Sequence, residues 1–169
     1  MQVISSCFEQ PLSVFRSKRK TLEYMDTKDR VFELLKLNPL VSLASITKNG
    51  YPRPIPMKII HVDEENNIWF ATSLKSDKVS EFRKNPCAGI AYSNERMSVS
   101  LQGKIYIVED EDEKRSKWND AMKIYFPDGA DSKDYCLLKF CPEMLRSVTV
   151  DAIYKYEVKT IALLKKSAS

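Results

Sequence analysis

The order of apolar segments along this chain predicts a mainly β fold with flanking helices, built as an antiparallel sheet closed into a barrel. Three observations carry that prediction. Short segments follow the order helix, three strands, helix, two strands, helix, two strands, and hairpin-joined strands of this kind close into barrels whose ends helices fill. Asn49-Gly50 marks a tight hairpin, because a primed turn needs positive φ at its centre, and a hairpin leaves no room for a crossover. No GxGxxG occurs to open a parallel, dinucleotide-binding sheet.

Residues 1–24 are weakly periodic, carry Pro11 and a basic pentad, and read as an N-terminal arm; residues 25–169 form one domain. Thr27 offers an N-cap, and Val31, Leu34 and Leu35 make an apolar stripe, so a helix is expected over 27–37, ended by Asn38-Pro39. A strand follows over 40–47. Its return over 53–62 contains Pro54 and Pro56, which remove two ladder donors and make the strand an edge or irregular at its start. After a turn at 63–67 come a strand at 68–72 and a helix from Asp77 to Arg83, closed near Asn85-Pro86. Strands are expected at 88–92 and 97–109. The second sets Val99, Leu101, Ile105 and Ile107 on one face, with Gly103 marking a bulge or a close contact. Asp110 and Glu113 resemble a capping box, opening a helix through Trp118 and Met122 that Phe126-Pro127-Asp128-Gly129 stops. Two last strands are expected at 135–141 and about 147–164.

A chain of 169 residues is long enough for one cored domain and too short for two. Hydrophobic residues at 43% and charged residues at 30% are ordinary for a soluble globular domain, and no apolar run approaches the roughly 20 residues of a membrane span. The first residues lack the pattern of a secretory signal. Cys7, Cys87, Cys136 and Cys141 show no CxxC spacing, and His61 is the one histidine, so a metal site is not expected; the cysteines read as reduced thiols of a cytoplasmic protein. The net charge of +4 is mild. Its densest part, Arg16-Ser17-Lys18-Arg19-Lys20, has no interleaved aromatics for stacking bases, so it reads as a solvated arm and nucleic acid is not an expected partner.

The richest stretch for chemistry is Ile68-Trp69-Phe70-Ala71-Thr72-Ser73-Leu74-Lys75-Ser76-Asp77-Lys78-Val79. A strand that breaks through hydroxyls into a helix start offers free backbone N–H groups, the positive end of the helix dipole, hydroxyl donors and an ammonium to one anion. Arg53 and Lys58 on the preceding strand add a guanidinium fork and a point charge. The plainer alternative is that Ser76 caps its helix and Lys78 is solvated. Trp69 and Phe70 read as barrel core, His61 as a solvated hairpin residue, and Trp118, a helical turn from Met122, as either core or a cofactor or dimer contact. No Ser-His-Asp or Cys-His arrangement occurs and no catalytic residue is assigned; in an enzyme, a cofactor would supply the chemistry.

Arg53-Pro54-Ile55-Pro56-Met57-Lys58 resembles the Arg-x-x-x-x-Lys strand of the pyridoxamine 5′-phosphate oxidase-like proteins, a family of FMN-binding split barrels. The segment from Phe70 to Lys78 resembles their Phe-Tyr-Thr-Asn-x-x-Ser-x-Lys phosphate segment, and Asn85-Pro86 is also similar. Trp118, Tyr125-Phe126-Pro127-Asp128-Gly129, Asp131, Asp134-Tyr135, Leu137-Leu138-Lys139 and Pro142 are similar to the distal pattern of the general stress protein 26-like branch. The resemblance implies a split antiparallel β-barrel that binds FMN non-covalently at a homodimer interface. Arg53, Lys58, Thr72, Ser76 and Lys78 would meet the phosphate, and the ring would lie along the backbone of Arg53, Pro54, Ile55 and Met57. Ala71, Ser73 and Trp118 complete the implied cofactor set. The function implied first is an FMN-dependent oxidoreductase taking electrons from a donor such as NAD(P)H to a small organic substrate. A flavin carrier, store or redox sensor without turnover comes second, and a ligand-free interaction or nucleic-acid module third. Three departures from the family pattern matter, one being Ser147-Val148-Thr149 after Pro142, where the stress-protein branch usually shows an aromatic that would line the ring pocket. Asp77 stands where the oxidases often carry Arg, which weakens phosphate binding unless the carboxylate faces away. The C-terminal Arg-x-His of true pyridoxamine phosphate oxidases is missing, so that substrate is not expected.

Overall fold

The computed structural model describes residues 27–149 and 153–157. The N-terminal arm, Cys7, the basic pentad and the expected strand beyond residue 157 lie outside them. The elements are α1 (Thr27–Leu37), β1 (Leu40–Ile46), β2 (Pro52–Val62), β3 (Ile68–Ser73), α2 (Asp77–Lys84), β4 (Cys87–Ser93), β5 (Met97–Val108), α3 (Glu111–Ser116), two 3₁₀ turns (Asp120–Ile124 and Gly129–Asp131), β6 (Tyr135–Thr149) and β7 (Ile153–Glu157). The strands lie in the order β3-β2-β1-β4-β5-β6-β7, every pairing is antiparallel, and a further β3–β6 pairing closes β1 to β6 into a barrel. Among the described residues no helix is long and apolar enough to cross a membrane.

Alternation along the strands fills the barrel. Val41 and Leu43, Met57 and Ile59, Val99, Leu101 and Ile105 point inward, where α1 adds Val31, Phe32 and Leu35 and α2 adds Val79 and Phe82. Each such side chain contributes about 1.5–3 kcal/mol when fully buried. On β3 and the first half of β6 the alternation disappears, because both faces are covered. Ile68, Phe70, Leu138 and Phe140 face the interior, while Trp69, Tyr135 and Leu137 pack outside the barrel with Met122 and Phe126. That is why residues 68–70 read as one continuous apolar run.

Three local expectations are corrected. The hairpin after β1 is not a two-residue primed turn: Thr47 N donates to Tyr51 O and Gly50 N to Thr47 O, each at 2.9 Å, and Gly50 alone takes positive φ, at 82°. Lys48 and Asn49 therefore form the centre of an ordinary turn, and glycine supplies the left-handed residue of a three-residue loop. The helix opened by Asp110, whose carboxylate accepts from Glu113 N at 2.7 Å, ends at Ser116. Asn119 then caps a separate 3₁₀ turn that holds Met122, so Trp118 lies between two elements. The third correction concerns β6, which runs unbroken through Pro142 where two strands were expected.

Other expectations hold with a clear cause. β3 joins β2 only from Ile59 onward, so Pro54 and Pro56 occupy the half of β2 whose second side has no strand partner. Their spacing by two puts both missing N–H groups on one side. Gly103 sits at a register shift between β5 and β6, where the backbones nearly touch: a Cβ there would lie 2.1 Å from Cys141 O and 2.9 Å from Pro142 Cα. Gly103→Ala must push one backbone off the other and is expected to cost about 1–3 kcal/mol, read as a lower urea midpoint. Gly89→Ala, whose Cβ would meet Leu101 O at an ordinary 3.6 Å, is the control that leaves the midpoint nearly in place.

Candidate anion-binding site

The strand–helix junction after β3 is held from both sides. Thr72 continues the inward face of β3 and is buried. Ser73 faces the other way and donates to Asp134 Oδ1 at 2.8 Å, while Leu74 N donates to Asp134 O at 2.7 Å. Ser76 occupies the N-cap position of α2, but its hydroxyl caps nothing. Instead Lys78 Nζ donates to Ser76 Oγ at 2.8 Å and to Thr72 Oγ1 at 3.1 Å. The ammonium is thus fixed between two hydroxyls at the start of a helix, where the first backbone N–H groups have no intrahelical acceptor. Neither half of the capping alternative holds, since Ser76 does not cap and Lys78 is half-buried and engaged.

Arg53 reaches the same helix from β2. Its Nη2 donates to Glu81 Oε2 at 2.8 Å, its Nη1 lies 3.5 Å from Asp77 Oδ2, and its Nε is buried without an acceptor among the described residues. Ser45 donates to the same Glu81 oxygen at 2.6 Å. Burial pushes the Lys78 pKa down, and the nearby Arg53 charge pushes it further. Two cations therefore share a partly desolvated corner, an arrangement that an incoming anion stabilises. Ser45 and Glu81 were not in the expected set. The hairpin register pairs Ser45 with Arg53, and Asp77 and Glu81 stand four apart on one helix, so both were within reach of pattern reasoning.

The remaining expected residues distribute differently. Lys58 lies on the opposite face of β2 from Arg53, Ile55 and Met57, is exposed, and is about 16 Å away along the strand. Pro54 shares its exposed face, and Ile55 packs against the barrel core. Ala71 and Trp118 join the outer cluster, where the Trp118 ring lies 5.4 Å from Tyr135 and 6.4 Å from Phe126. The structure thus brings Arg53, Thr72, Ser76 and Lys78 together and leaves Lys58, Ala71, Ser73 and Trp118 outside that cluster.

Other reactive groups nearby are quiet. Cys136 pairs with Thr72 in the β3–β6 register, and burial drives its thiol up to about 11, which keeps it protonated. Burial likewise raises the Cys141 thiol. His61 is pulled down by burial and then by Lys117, which favours its neutral form. Among the described residues no three or more His, Cys, Asp or Glu are grouped to hold a metal ion. What the cluster offers is a place for a small, strongly charged anion: an ammonium, two hydroxyls, a helix start and the free edge of a guanidinium.

Fold and cluster together define a closed antiparallel barrel with a cationic, hydroxyl-lined cradle at one strand–helix junction. A family model described as pyridoxamine 5′-phosphate oxidase like matches residues 26–147, and the chain belongs to that family. It is similar in structure to a protein related to general stress protein 26, of the pyridoxinephosphate oxidase family, from Clostridium acetobutylicum. The TM-score is 0.71 at 25% identity, covering 79% of this chain and 97% of the other. A pyridoxamine 5′-phosphate oxidase-related, FMN binding protein from Nostoc punctiforme shares the fold with TM-score 0.59 at 17% identity, over 75% and 84% of the two chains. A heme binding protein from Mycobacterium smegmatis shares it with TM-score 0.58 at 16% identity, over 72% and 55%. No curated protein sequence matches the chain.

The buried contact to Arg53 has a pH signature. Burial pulls the Glu81 pKa up, but hydrogen bonds from Ser45 and Arg53 and the Arg53 charge outweigh it, and the net shift is downward. A carboxylate lowered on folding adds stability that is complete above its unfolded value of about 4.3 and is lost as pH falls through the folded value. Wild type is therefore expected to melt above Glu81→Gln near neutral pH, with the gap closing as the solution is made more acidic than that carboxylate range. Melting curves across that window check it, and a gap independent of pH would show that Glu81 is not held as an anion.

Proposed function

We propose that this protein binds FMN non-covalently and acts as a flavin-dependent oxidoreductase on a small organic substrate, as a homodimer with the flavin at the subunit interface. The observation that carries this reading is the Lys78 ammonium, fixed between the Thr72 and Ser76 hydroxyls beside an Arg53 whose buried Nε lacks a partner among the described residues. A guanidinium with donors left over is poorly compensated, and a phosphate at its weakly paired Nη1 edge adds an acceptor. The donor set fits FMN better than haem, which is held by axial His, Cys, Met or Tyr rather than by hydroxyls and cations. The FMN binding relative and the family membership support the same choice.

When bound, FMN supplies hydride or single-electron transfer. The chain's own residues hold and orient. Thr72, Ser76, Lys78 and Arg53 fix the phosphate end, and the backbone of Arg53 to Met57 forms a wall for the ring. An open groove across β1, β4, β5 and β6 is lined by Ser42, Ala91, Ser93, Ser98 and Ser100, together with Tyr92, Val99, Val148 and Arg146. Short side chains let a flat ring or a second copy come close to the sheet, which supports the dimeric arrangement. Pyridoxamine phosphate is not proposed as the substrate. No histidine follows His61 in the sequence, and the flexible ammoniums of Lys155, Lys159, Lys165 and Lys166 orient a phosphate less well than a guanidinium fork.

Titration of apo-protein with FMN, followed by quenching of flavin fluorescence, tests the binding claim. Arg53→Ala and Lys78→Ala are each expected to weaken binding about ten- to a hundredfold, the equivalent of roughly 1.5–3 kcal/mol for a charge-assisted contact. Unchanged affinity in both would put the phosphate elsewhere. Anaerobic stopped-flow then separates the enzyme from a passive carrier: NADH or NADPH bleaches the bound flavin and an acceptor restores it. Bound flavin that no donor reduces would leave a carrier, store or sensor.

A further inference from the structure

Arg53 carries two carboxylates of unlike standing. The Glu81 side chain is 14% exposed, sits 2.8 Å from Arg53 Nη2 and is gripped by Ser45 as well, so three elements meet in one contact. Asp77 is 83% exposed, and its Oδ2 stands 3.5 Å from Nη1, at the outer limit of a hydrogen bond. Asp77 is also the first residue of α2, directly between Ser76 and Lys78, whose side chains hold each other at 2.8 Å. Its negative charge therefore occupies the helix end and the guanidinium edge that the proposed phosphate needs.

We propose that Asp77 is a displaceable counter-anion for Arg53, standing in for the ligand's phosphate and setting how tightly the site holds it. This rests on the reading that the FMN phosphate binds in this cluster. An exposed ion pair at such a distance is worth little, whereas a guanidinium–phosphate contact is charge-assisted and forked. Phosphate therefore wins Nη1 from Asp77 but does not dislodge Glu81, which keeps the guanidinium aimed at the helix start. Once displaced, the Asp77 carboxylate stays next to Lys78 in sequence and repels the bound dianion. Asp77 is thus a specificity-determining residue. It lowers affinity for doubly charged phosphate esters and leaves affinity for the uncharged flavin body untouched.

The test is a charge series at this one exposed position, Asp77→Asn and Asp77→Lys, with FMN and riboflavin titrated into each apo-protein. Like-charge repulsion across a partly solvated site of this size is expected to make Asp77→Asn bind FMN roughly three- to tenfold more tightly than wild type. Asp77→Lys should bind more tightly still, and raising the salt should shrink both gains. Riboflavin, which lacks the phosphate, should bind all three proteins alike. FMN affinity unchanged or weakened in both variants would overturn the proposal while leaving the flavin reading intact. An equal gain for riboflavin would overturn it too, because the effect would not act through the phosphate. Wild type that binds no FMN would overturn the flavin reading and this inference with it.

Discussion

The fifteen residues of β6 are bonded to three other strands, and the barrel exists because one strand can do this. β6 pairs with β5 along its length, with β3 over Tyr135 to Phe140 and with β7 over Met144 to Val148. β3 and β7 thus pair in succession with the edge of β6 that β5 leaves open. Between Gln102 and Gly103 the register shifts, leaving Glu143 of β6 without a partner in β5, beside the point where Cys141 and Pro142 cross Gly103. A bulge supplies the extra twist, Pro142 accepts it, and the missing Cβ of Gly103 lets the backbones approach. The β3–β6 pairing next to that crossing sets Thr72, near the end of β3, opposite Cys136.

The candidate site follows from this closure. Because β3 is covered on both faces, successive residues at its end are committed to different tasks. Thr72 faces inward toward Lys78, and Ser73 faces outward to Asp134. The Asp134 contacts pin the turn that launches α2, and α2 brings Lys78 back over the strand end. On the other side Ser45, Arg53 and Glu81 tie β1, β2 and α2 together. The cationic corner is thereby braced by two independent hydrogen-bond groups before any ligand arrives, which is the preorganisation that makes electrostatic binding strong.

Charge balance sets the character of this corner. Burial and the Arg53 charge lower the Lys78 pKa, and the Asp77 and Glu81 carboxylates offset them only in part, its two hydroxyl partners being neutral. Arg53 has one strong carboxylate, one weak one and, among the described residues, no acceptor for its Nε. The corner is therefore neither a finished structural ion network nor a bare cationic patch. Two cations face two carboxylates there, one held closely and one at the limit of a hydrogen bond.

Features decided by the local backbone were legible in the chain itself. Helix α1 ends where Asn38-Pro39 places it, Gly50 supplies the left-handed residue of the hairpin loop, and Gly103 marks the close crossing, because prolines and glycines act through sterics within a few residues. The grouping of Thr72, Ser76 and Lys78 was legible as well, since hydroxyls and a lysine at a strand–helix break lie within a few residues of one another. Tertiary pairing decided the rest. Lys58 reads as a partner of Arg53 on charge alone, yet strand parity sends it to the other face. Trp118 remained either core or contact until the turn at Asn119 set it against Tyr135 and Phe126. Ser45 and Glu81 gain their role only when β1, β2 and α2 are assembled, for a buried ion pair depends on distance, and distance between remote residues is set by packing.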